Sequence, residues 1–328
     1  MTAMQFAPPF WLRNAHFQSI LPSFPFRRAR VERFARALRN ASVEHVLDCG
    51  DGVRLQGFYS AQEKTGRPAA SQLVVLHHGW EGSAESLYIL GLGQVLFERG
   101  YDVFRLNLRD HGATHHLNRD LFHSCRIEEA VGAVRDIQRL FPDHGLNLVG
   151  FSLGGNFALR IGARGTAASL SLRRIVAISP VLDPEKTLYA LENGFGLYHR
   201  YFVWKWSRSL RKKQQAWPAH YDFEDLLRVP RLGLMTEALV LRYSDFPDMK
   251  SYLRGYSIVH GALDTLEVPS TIIAARDDPM IPAEDLDRLP QRPNLKLVAT
   301  GCGGHCGFMD RLGGETWLAN RVLEELRG

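Results

Sequence analysis

The sequence predicts an α/β fold in which helices cover both faces of a mostly parallel central sheet. Three observations lead to this fold class. Short apolar runs of strand length alternate with longer runs of helical character, and the alternation lapses over one long stretch before it resumes. With 328 residues, 45% hydrophobic and 23% charged, the chain can bury a large core.

The strand-helix alternation can be followed in chain order. Residues 43–59 predict two strands around a glycine-rich turn, and QLVVLH at 72–77 predicts a strand that is buried on both faces. Two neighbouring parallel strands need a crossover connection, usually a helix, and the sequence has helical segments between its later predicted strands. The further predicted elements are a helix at 86–98, a strand at 102–108, a helix at 127–141, a strand at 147–150, a helix at 153–161 and a strand at 174–178.

The alternation lapses between residues 183 and 268, where the sequence is aromatic-rich and helical in character. It resumes with a strand at 271–275, a short helix near 283–289, a strand at 295–299 and a last helix near 315–326. We therefore predict an inserted helical cap. The predicted division is an N-terminal arm (1–45) packed on the core, a first core segment (46–182), the cap (183–268) and a second core segment (269–328).

Gly150, Ser152 and Gly154 fit the pattern G-x-S-x-G between a predicted strand and a predicted helix. Such glycine-serine runs also occur in ordinary turns, but this context is typical of a nucleophile elbow. The turn presents the serine hydroxyl at the carboxyl end of the sheet, beside a helix N-terminus that favours negative charge. The pattern predicts Ser152 as a nucleophile on an α/β-hydrolase fold.

A serine nucleophile needs a base, and the base needs an orienting carboxylate. In this fold they follow the serine in the order acid, then histidine. His305 lies in a glycine-rich loop after the last predicted strand, and Asp277 and Asp278 follow the strand before it. We predict His305 as base and Asp278 as acid by analogy with acid loops of such hydrolases, with Asp277 as the alternative.

Two backbone donors are expected to bind the oxyanion of the reaction. The residue after the nucleophile, Leu153, supplies one. The loop after the strand that ends at His77 supplies the other, and we assign it to the amide of Trp80.

No cofactor and no metal site is predicted. His77, His111, His115, His116 and His123 lack a fixed ligand spacing and are interpreted as structural or loop residues. The net charge of +5 comes with no nucleic-acid-binding signature, so no nucleic-acid partner is expected. Without a signal-like N-terminus and with four cysteines, the chain is expected to be cytoplasmic.

Basic and aromatic residues interleave in the cap around residues 198–213. Such a helix can lie on an anionic membrane surface, which would place the protein at the inner membrane face. The alternative is a cap helix that packs its aromatic side chains inward and keeps its basic side chains in water. Both interpretations stay open at this point, as does the oligomeric state.

Several motifs spread along the whole chain are similar to those of one family. The chain resembles the YheT-like branch of the α/β-hydrolases, the bacterial relatives of the ABHD1/ABHD3 group. It departs from that branch at Asp110-His111 and at Cys125. The similar segments are 8–20 (PPFWLRNAHFQSI), 78–83 (HGWEGS) with Tyr88 and Ile89, 107–112 (NLRDHG), 122–124 (FHS) and 150–155 (GFSLGG).

The resemblance implies an esterase or a lipid-acting hydrolase. The predicted function is hydrolysis of small-molecule or lipid esters through an acyl-serine intermediate. Acyl transfer by the same three residues, or a binding protein without catalysis, are the alternatives. A carboxylate in place of Ser152 would be expected for dehalogenase or epoxide-hydrolase chemistry, which is therefore disfavoured.

Overall fold

An eight-stranded sheet forms the centre of the computed structural model, which describes residues 6–229, 231–312 and 316–327. The strand order is β1-β2-β4-β3-β5-β6-β7-β8, antiparallel among β1, β2 and β4 and parallel from β4 to β8. The strands are β1 Ser42–Asp48, β2 Arg54–Ser60, β3 Gln72–His77, β4 Asp102–Leu106, β5 Gly145–Phe151, β6 Leu172–Ile178, β7 Ser270–Ala275 and β8 Leu295–Thr300.

Twelve α-helices are present in the described residues. They are α1 Ala15–Ile20, α2 Arg28–Phe34, α3 Arg36–Asn40, α4 Leu87–Glu98, α5 Ile127–Leu140, α6 Leu153–Ala163, α7 Pro184–Asn193, α8 Gly196–Ala216, α9 Leu232–Tyr243, α10 Met249–Arg254, α11 Ala283–Leu286 and α12 Trp317–Arg327. Short 3₁₀ turns occur at Phe10–Leu12, Leu21–Ser23, Pro25–Arg27, Gln62–Thr65 and Leu226–Arg228.

The sheet is buried on both faces because successive side chains of its central strands enter two separate cores. In β3, Leu73 and Val75 pack with α5 and α6, whereas Val74 and Leu76 pack with α4 and α12. This is the arrangement that a continuous apolar run such as QLVVLH favours. It confirms the predicted fold class.

The arm, described from residue 6 to residue 41, carries α1 to α3 and lies against the α4 side of the sheet. Leu38 and Ala35 are fully buried in the core that contains α4, and the Leu38 amide donates to the Gln94 side chain. β1 begins at Ser42, so the predicted limit of the arm at residue 45 falls inside this strand. Likewise, the last helix begins at Trp317, and the residue 315 at which we predicted its start lies outside the described residues.

In the described part of the segment predicted as the cap, between β6 and β7, lie the α-helices α7 to α10 and the 3₁₀ turn Leu226–Arg228. The longest, α8, is joined to the loop after β4 by a buried ion pair. Lys213 Nζ donates to Asp110 Oδ1 at 2.8 Å and to the carbonyls of Asn118 and Asp120 at 2.7 and 3.1 Å. The cap division as a whole stays a prediction, but this contact connects its main helix to the loop after β4.

Candidate active site

Ser152 lies at the sharp turn between β5 and α6. Its φ of 52° is in the left-handed region, which is costly for a residue with a side chain and is typical of strained functional turns. A Cβ at Gly150 would come within 2.2 Å of the Gly154 carbonyl oxygen, and one at Gly154 within 2.4 Å of two backbone oxygens. The two glycines of the motif are therefore required by close backbone packing around the serine.

The structure brings Ser152, His305 and Asp278 together. Ser152 Oγ lies 2.9 Å from His305 Nε2, and His305 Nδ1 lies 2.8 Å from Asp278 Oδ2. The second oxygen of Asp278 accepts from the amides of Met280 and Ile281, at 2.8 and 3.1 Å. The Asp278 side chain is almost fully buried and is held from both ends, so it fixes the orientation of the imidazole.

Asp277, the alternative acid, has a different partner. Its Oδ1 accepts from the Gly304 amide at 2.9 Å, in the loop that carries His305. Burial and, to a smaller extent, the negative charge of Asp278 raise the pKa of Asp277, although the bond from the Gly304 amide acts in the opposite direction. The two adjacent carboxylates thus contact different parts of the same loop: one binds its backbone and the other binds the imidazole.

The loop after β3 forms a tight turn beside Ser152. The Gly82 amide donates to the Gly79 carbonyl at 2.9 Å, and Glu81 has a φ of 56°. A Cβ at Gly79 would lie 3.2 Å from Ser152 Cβ, so the backbone of this turn packs directly on the serine. Among the described residues, the amide of Trp80 has no hydrogen-bond partner, whereas its two neighbours both have one.

Two buried histidines hold this turn in place. His111 Nε2 accepts from the Glu81 amide at 3.1 Å, and its Nδ1 donates to the Arg109 carbonyl. His78 Nδ1 donates to the Gly79 carbonyl, and its Nε2 accepts from the Leu108 amide. Burial lowers the pKa of His111 to about 4, so it is neutral and can accept. From the sequence, His111 is interpreted only as a structural or loop residue, and its place in Asp110-His111, where the chain departs from the family pattern, is the signal that could indicate a specific role.

The arm supports the loop of His305, a contact that sequence reasoning missed. The His305 amide donates to Ser19 Oγ at 2.8 Å. The buried Gln18 side chain accepts from the Met309 amide and donates to the Met309 carbonyl, at 2.7 and 2.9 Å. Both residues belong to the 8–20 segment of the family resemblance, which marked them without indicating what they bind.

The charge of His305 is controlled by its surroundings. Burial lowers the pKa of the imidazole, but the carboxylate of Asp278 and the neighbouring Cys306 outweigh burial and raise this pKa well above 6.5. An imidazolium at this position is therefore stabilised, which is what a base needs once it has taken a proton.

A pocket opens at Ser152 and extends under α7 to α10. It contains about 1030 Å³ of space free of protein atoms, part of it open to solvent. Its described lining contains no Asp, Glu, Lys or Arg side chain and is mostly apolar. The apolar and aromatic residues of the lining include Trp80, Leu121, Phe122, Leu153, Val181, Leu188, Phe202, Trp206, Leu239, Tyr252, Met280 and Ile281. Such a site fits an uncharged, apolar group next to Ser152.

Within residues 6–229, 231–312 and 316–327, no group of three or more His, Cys, Asp and Glu side chains is arranged to hold a metal ion. The helices of this part of the chain are also too short or too polar to cross a lipid bilayer.

Comparison with known proteins agrees with this architecture. Putative esterase YheT of Escherichia coli is 26% identical over 99% of this chain and 94% of its own length. Phospholipase ABHD3 of Mus musculus is 22% identical over 92% of this chain and 73% of its own length. These similarities confirm the resemblance to the YheT-like branch, and ester hydrolysis is the activity that the two names share.

The solved structures show the same fold. The Pyrococcus furiosus esterase Pf2001 superimposes with a TM-score of 0.58 at 17% identity, covering 89% of this chain and 94% of that one. A family model described as the alpha/beta hydrolase fold matches residues 72–312, which is more than half of the chain. The chain therefore belongs to the α/β-hydrolase fold family.

Proposed function

We propose that the protein hydrolyses carboxylic esters through an acyl-enzyme formed on Ser152. The observation that carries the proposal is the continuous chain of hydrogen bonds from Ser152 Oγ through His305 to Asp278. A histidine that only packs in a core would not require a serine with a strained backbone next to it. His305 contacts such a serine through Nε2 and a buried carboxylate through Nδ1.

In the first half-reaction, His305 Nε2 takes the proton of Ser152 Oγ while this oxygen attacks the ester carbonyl carbon. The carbon–oxygen bond to the leaving alcohol then breaks, and His305 returns the proton to that alcohol. In the second half-reaction, His305 takes a proton from water, and the resulting hydroxide attacks the acyl carbon. The acid leaves, and the proton returns to Ser152.

The tetrahedral oxyanion of both steps is bound by the amides of Leu153 and Trp80. Leu153 is the first residue of α6, where the helix amides point toward the turn and favour negative charge. The free Trp80 amide, beside neighbours that already have partners, supports the second assignment. His111 is a positioning residue here, since it fixes the turn through the Glu81 amide.

The substrate class is an ester with an apolar acyl or alcohol group, lipid esters included. Apart from His305, the lining offers no side chain that could pair with a charged group, since it contains no Asp, Glu, Lys or Arg; this disfavours a charged group in the pocket, because it would be desolvated without a partner. The names of the two relatives, an esterase and a phospholipase, agree with this class.

The test compares Ser152→Ala with Ser171→Ala, an exposed serine near the start of β6. With p-nitrophenyl esters of increasing acyl length, we expect kcat of Ser152→Ala to fall by on the order of 10³-fold or more, while Ser171→Ala matches the parent. Intact-mass measurement after a fluorophosphonate probe should show one adduct on the parent and none on Ser152→Ala. Full activity in Ser152→Ala would refute the proposal.

A second pair of variants tests the acid. Asp278→Asn should lower kcat by about 10³- to 10⁴-fold, because an amide in place of the carboxylate no longer holds the imidazole in the tautomer that accepts the proton of Ser152. Asp277→Asn keeps an acceptor for the Gly304 amide and should cost far less. Adding an alcohol such as ethanol and identifying the products separates hydrolysis from acyl transfer: an ester product that exceeds the free acid would favour the transferase.

A further inference from the structure

The outer side of α8 carries an exposed apolar stripe. Leu197, Tyr201 and Trp204 are 41%, 43% and 51% exposed, and Arg208 follows one turn later. Their spacing places them on one side of the helix. On the other side, Phe202 and Trp206 line the pocket. The inward-packing interpretation of this helix therefore accounts for only part of its aromatic residues.

The arm lies next to this stripe and is also aromatic. The rings of His16 and Phe195 are 4.6 Å apart, and His16 Nδ1 lies 2.9 Å from the hydroxyl of Tyr198, in α8. The residue after His16, Phe17, is 56% exposed, and Phe24 and Phe26 form an exposed pair. We call the surface formed by Phe17, Phe24, Phe26 and Arg28 of the arm with Leu197, Arg200, Tyr201, Trp204 and Arg208 of α8 the basic aromatic face.

Basic groups of the arm and of α8 lie close enough to act on one another. Burial lowers the pKa of Lys205; the carboxylate of Glu81 opposes this shift, and the positive charges of Arg208 on α8 and Arg28 on the arm add to it. Within α8, the guanidinium of Arg208 stacks 4.9 Å over the Trp204 ring. Basic groups therefore lie beside the exposed aromatic rings.

Charge is distributed unevenly over the chain. The arm (6–41) and α8 together hold thirteen of its 40 basic residues but only one of its 35 acidic residues. The rest of the chain is consequently acidic on balance. Some of these basic residues have acidic partners: the buried Lys213 pairs with Asp110, Arg39 pairs with Glu85, and Arg28 pairs with Glu32 one helical turn away. A surface that combines exposed aromatic rings with an excess of positive charge fits a partner that is both anionic and able to receive apolar side chains.

We propose that the basic aromatic face docks on an anionic lipid surface. Tyr and Trp side chains favour the boundary between headgroups and acyl chains, and Arg side chains bind the anionic headgroups. Leu197 favours a lipid layer over a nucleic acid, since an aliphatic side chain needs an apolar medium and offers no ring on which a base could stack. The docked helix is also the one whose inner side lines the pocket, which brings that pocket next to the lipid layer. The docking does not depend on the proposed hydrolysis.

The test is sedimentation of the protein with lipid vesicles. We expect binding to vesicles in which phosphatidylglycerol is about a third of the lipid, weaker binding in high salt, and little binding to pure phosphatidylcholine. Ser152→Ala should bind like the parent, so a failure of the proposed hydrolysis would leave this result unchanged. Vesicle binding should also shift the tryptophan emission to shorter wavelength.

Variants locate the binding surface. The double variant Tyr201→Ser with Trp204→Ser, and separately Arg200→Glu with Arg208→Glu, should each reduce vesicle partition by on the order of tenfold or more. Leu140→Ser and Arg135→Glu on α5 are matched controls that change an exposed apolar and an exposed basic residue elsewhere, and should bind like the parent. Parent-like circular dichroism and thermal melting will show that the variants are folded.

Two results would overturn the proposal. One is no binding of the parent to anionic vesicles at low salt. The other is undiminished binding in both double variants. Tighter binding of the parent to a single-stranded oligonucleotide than to anionic vesicles would also overturn it, and would assign the face to a nucleic acid instead.

Discussion

Replacing Lys213 by methionine should remove the main polar contact between α8 and the loop after β4. Lys213 is fully buried, and its ammonium group donates three hydrogen bonds, one of them to the equally buried carboxylate of Asp110. Methionine keeps the length of the side chain but leaves this carboxylate with one remaining donor, the Phe122 amide. It also leaves two carbonyl groups without that donor.

The expected loss follows from this geometry. Removing one partner of a buried pair costs about 3–5 kcal/mol, because the other charge stays buried without compensation. Lys212, the neighbouring residue, is exposed and makes one bond of 3.3 Å to the Gly112 carbonyl. Lys212→Met should therefore change the free energy of unfolding by no more than about 0.5 kcal/mol.

Urea denaturation followed by circular dichroism measures the difference. A second change, Asp110→Asn, should restore part of the stability of Lys213→Met, because an uncharged side chain can still accept from the Phe122 amide. We also expect a higher KM in Lys213→Met, since α8 carries Phe202 and Trp206 into the pocket. If Lys213→Met and Lys212→Met were equally stable, the buried pair would not hold the helix as we infer.

Three further predictions concern the site itself. The value of kcat/KM for a soluble ester should fall as the pH decreases, because protonated His305 cannot accept the proton of Ser152. Since the pKa of His305 is raised, the midpoint of this fall should lie above 6.5, and a midpoint at or below 6.5 would contradict the prediction. His111→Leu should lower kcat by roughly tenfold or more with a smaller effect on KM, because the Trp80 turn loses its acceptor, whereas the exposed His116→Leu should match the parent in the same assay. Gly154→Ala should lower the melting temperature or prevent folding, since its Cβ would lie 2.4 Å from backbone oxygens. The control is Gly91→Ala in the middle of α4, where the added Cβ has open space around it and should raise the free energy of unfolding by about 0.5–1 kcal/mol.

Much of the fold could be predicted because the strands of a doubly covered sheet have a strong local signal. The run at 72–77 corresponds to β3 without any shift, since apolar side chains on both faces leave no other interpretation for so short a segment. Element ends were less accurate. The strand predicted to reach residue 108 ends at Leu106, where the chain turns into the loop that holds Asp110.

The site could be predicted where it depends on local chain geometry. Strand ends fix the positions of Ser152, Asp278 and His305, and in parallel strands these ends meet at one edge. The choice between Asp277 and Asp278 could not be made locally. It depends on how the loop turns, which is set by the two amides that bind Asp278 Oδ1.

Contacts between distant segments had no signal in the sequence. Lys213 looks like one more basic residue of an amphipathic helix, although it is the one that is buried. Its partner Asp110 is 103 positions away. The same applies to His111, whose role depends on a turn formed thirty residues earlier.

The bond between Ser19 and the His305 amide joins positions 286 residues apart. All eight strands of the described residues lie between these two positions. A contact between segments so far apart is entropically costly until the strands between them have paired, so we infer that it closes late in folding. A chain interrupted before residue 305 would hold Ser152 without the imidazole. In a refolding experiment, labelling of Ser152 would then mark the closing step and lag behind the recovery of helix and sheet.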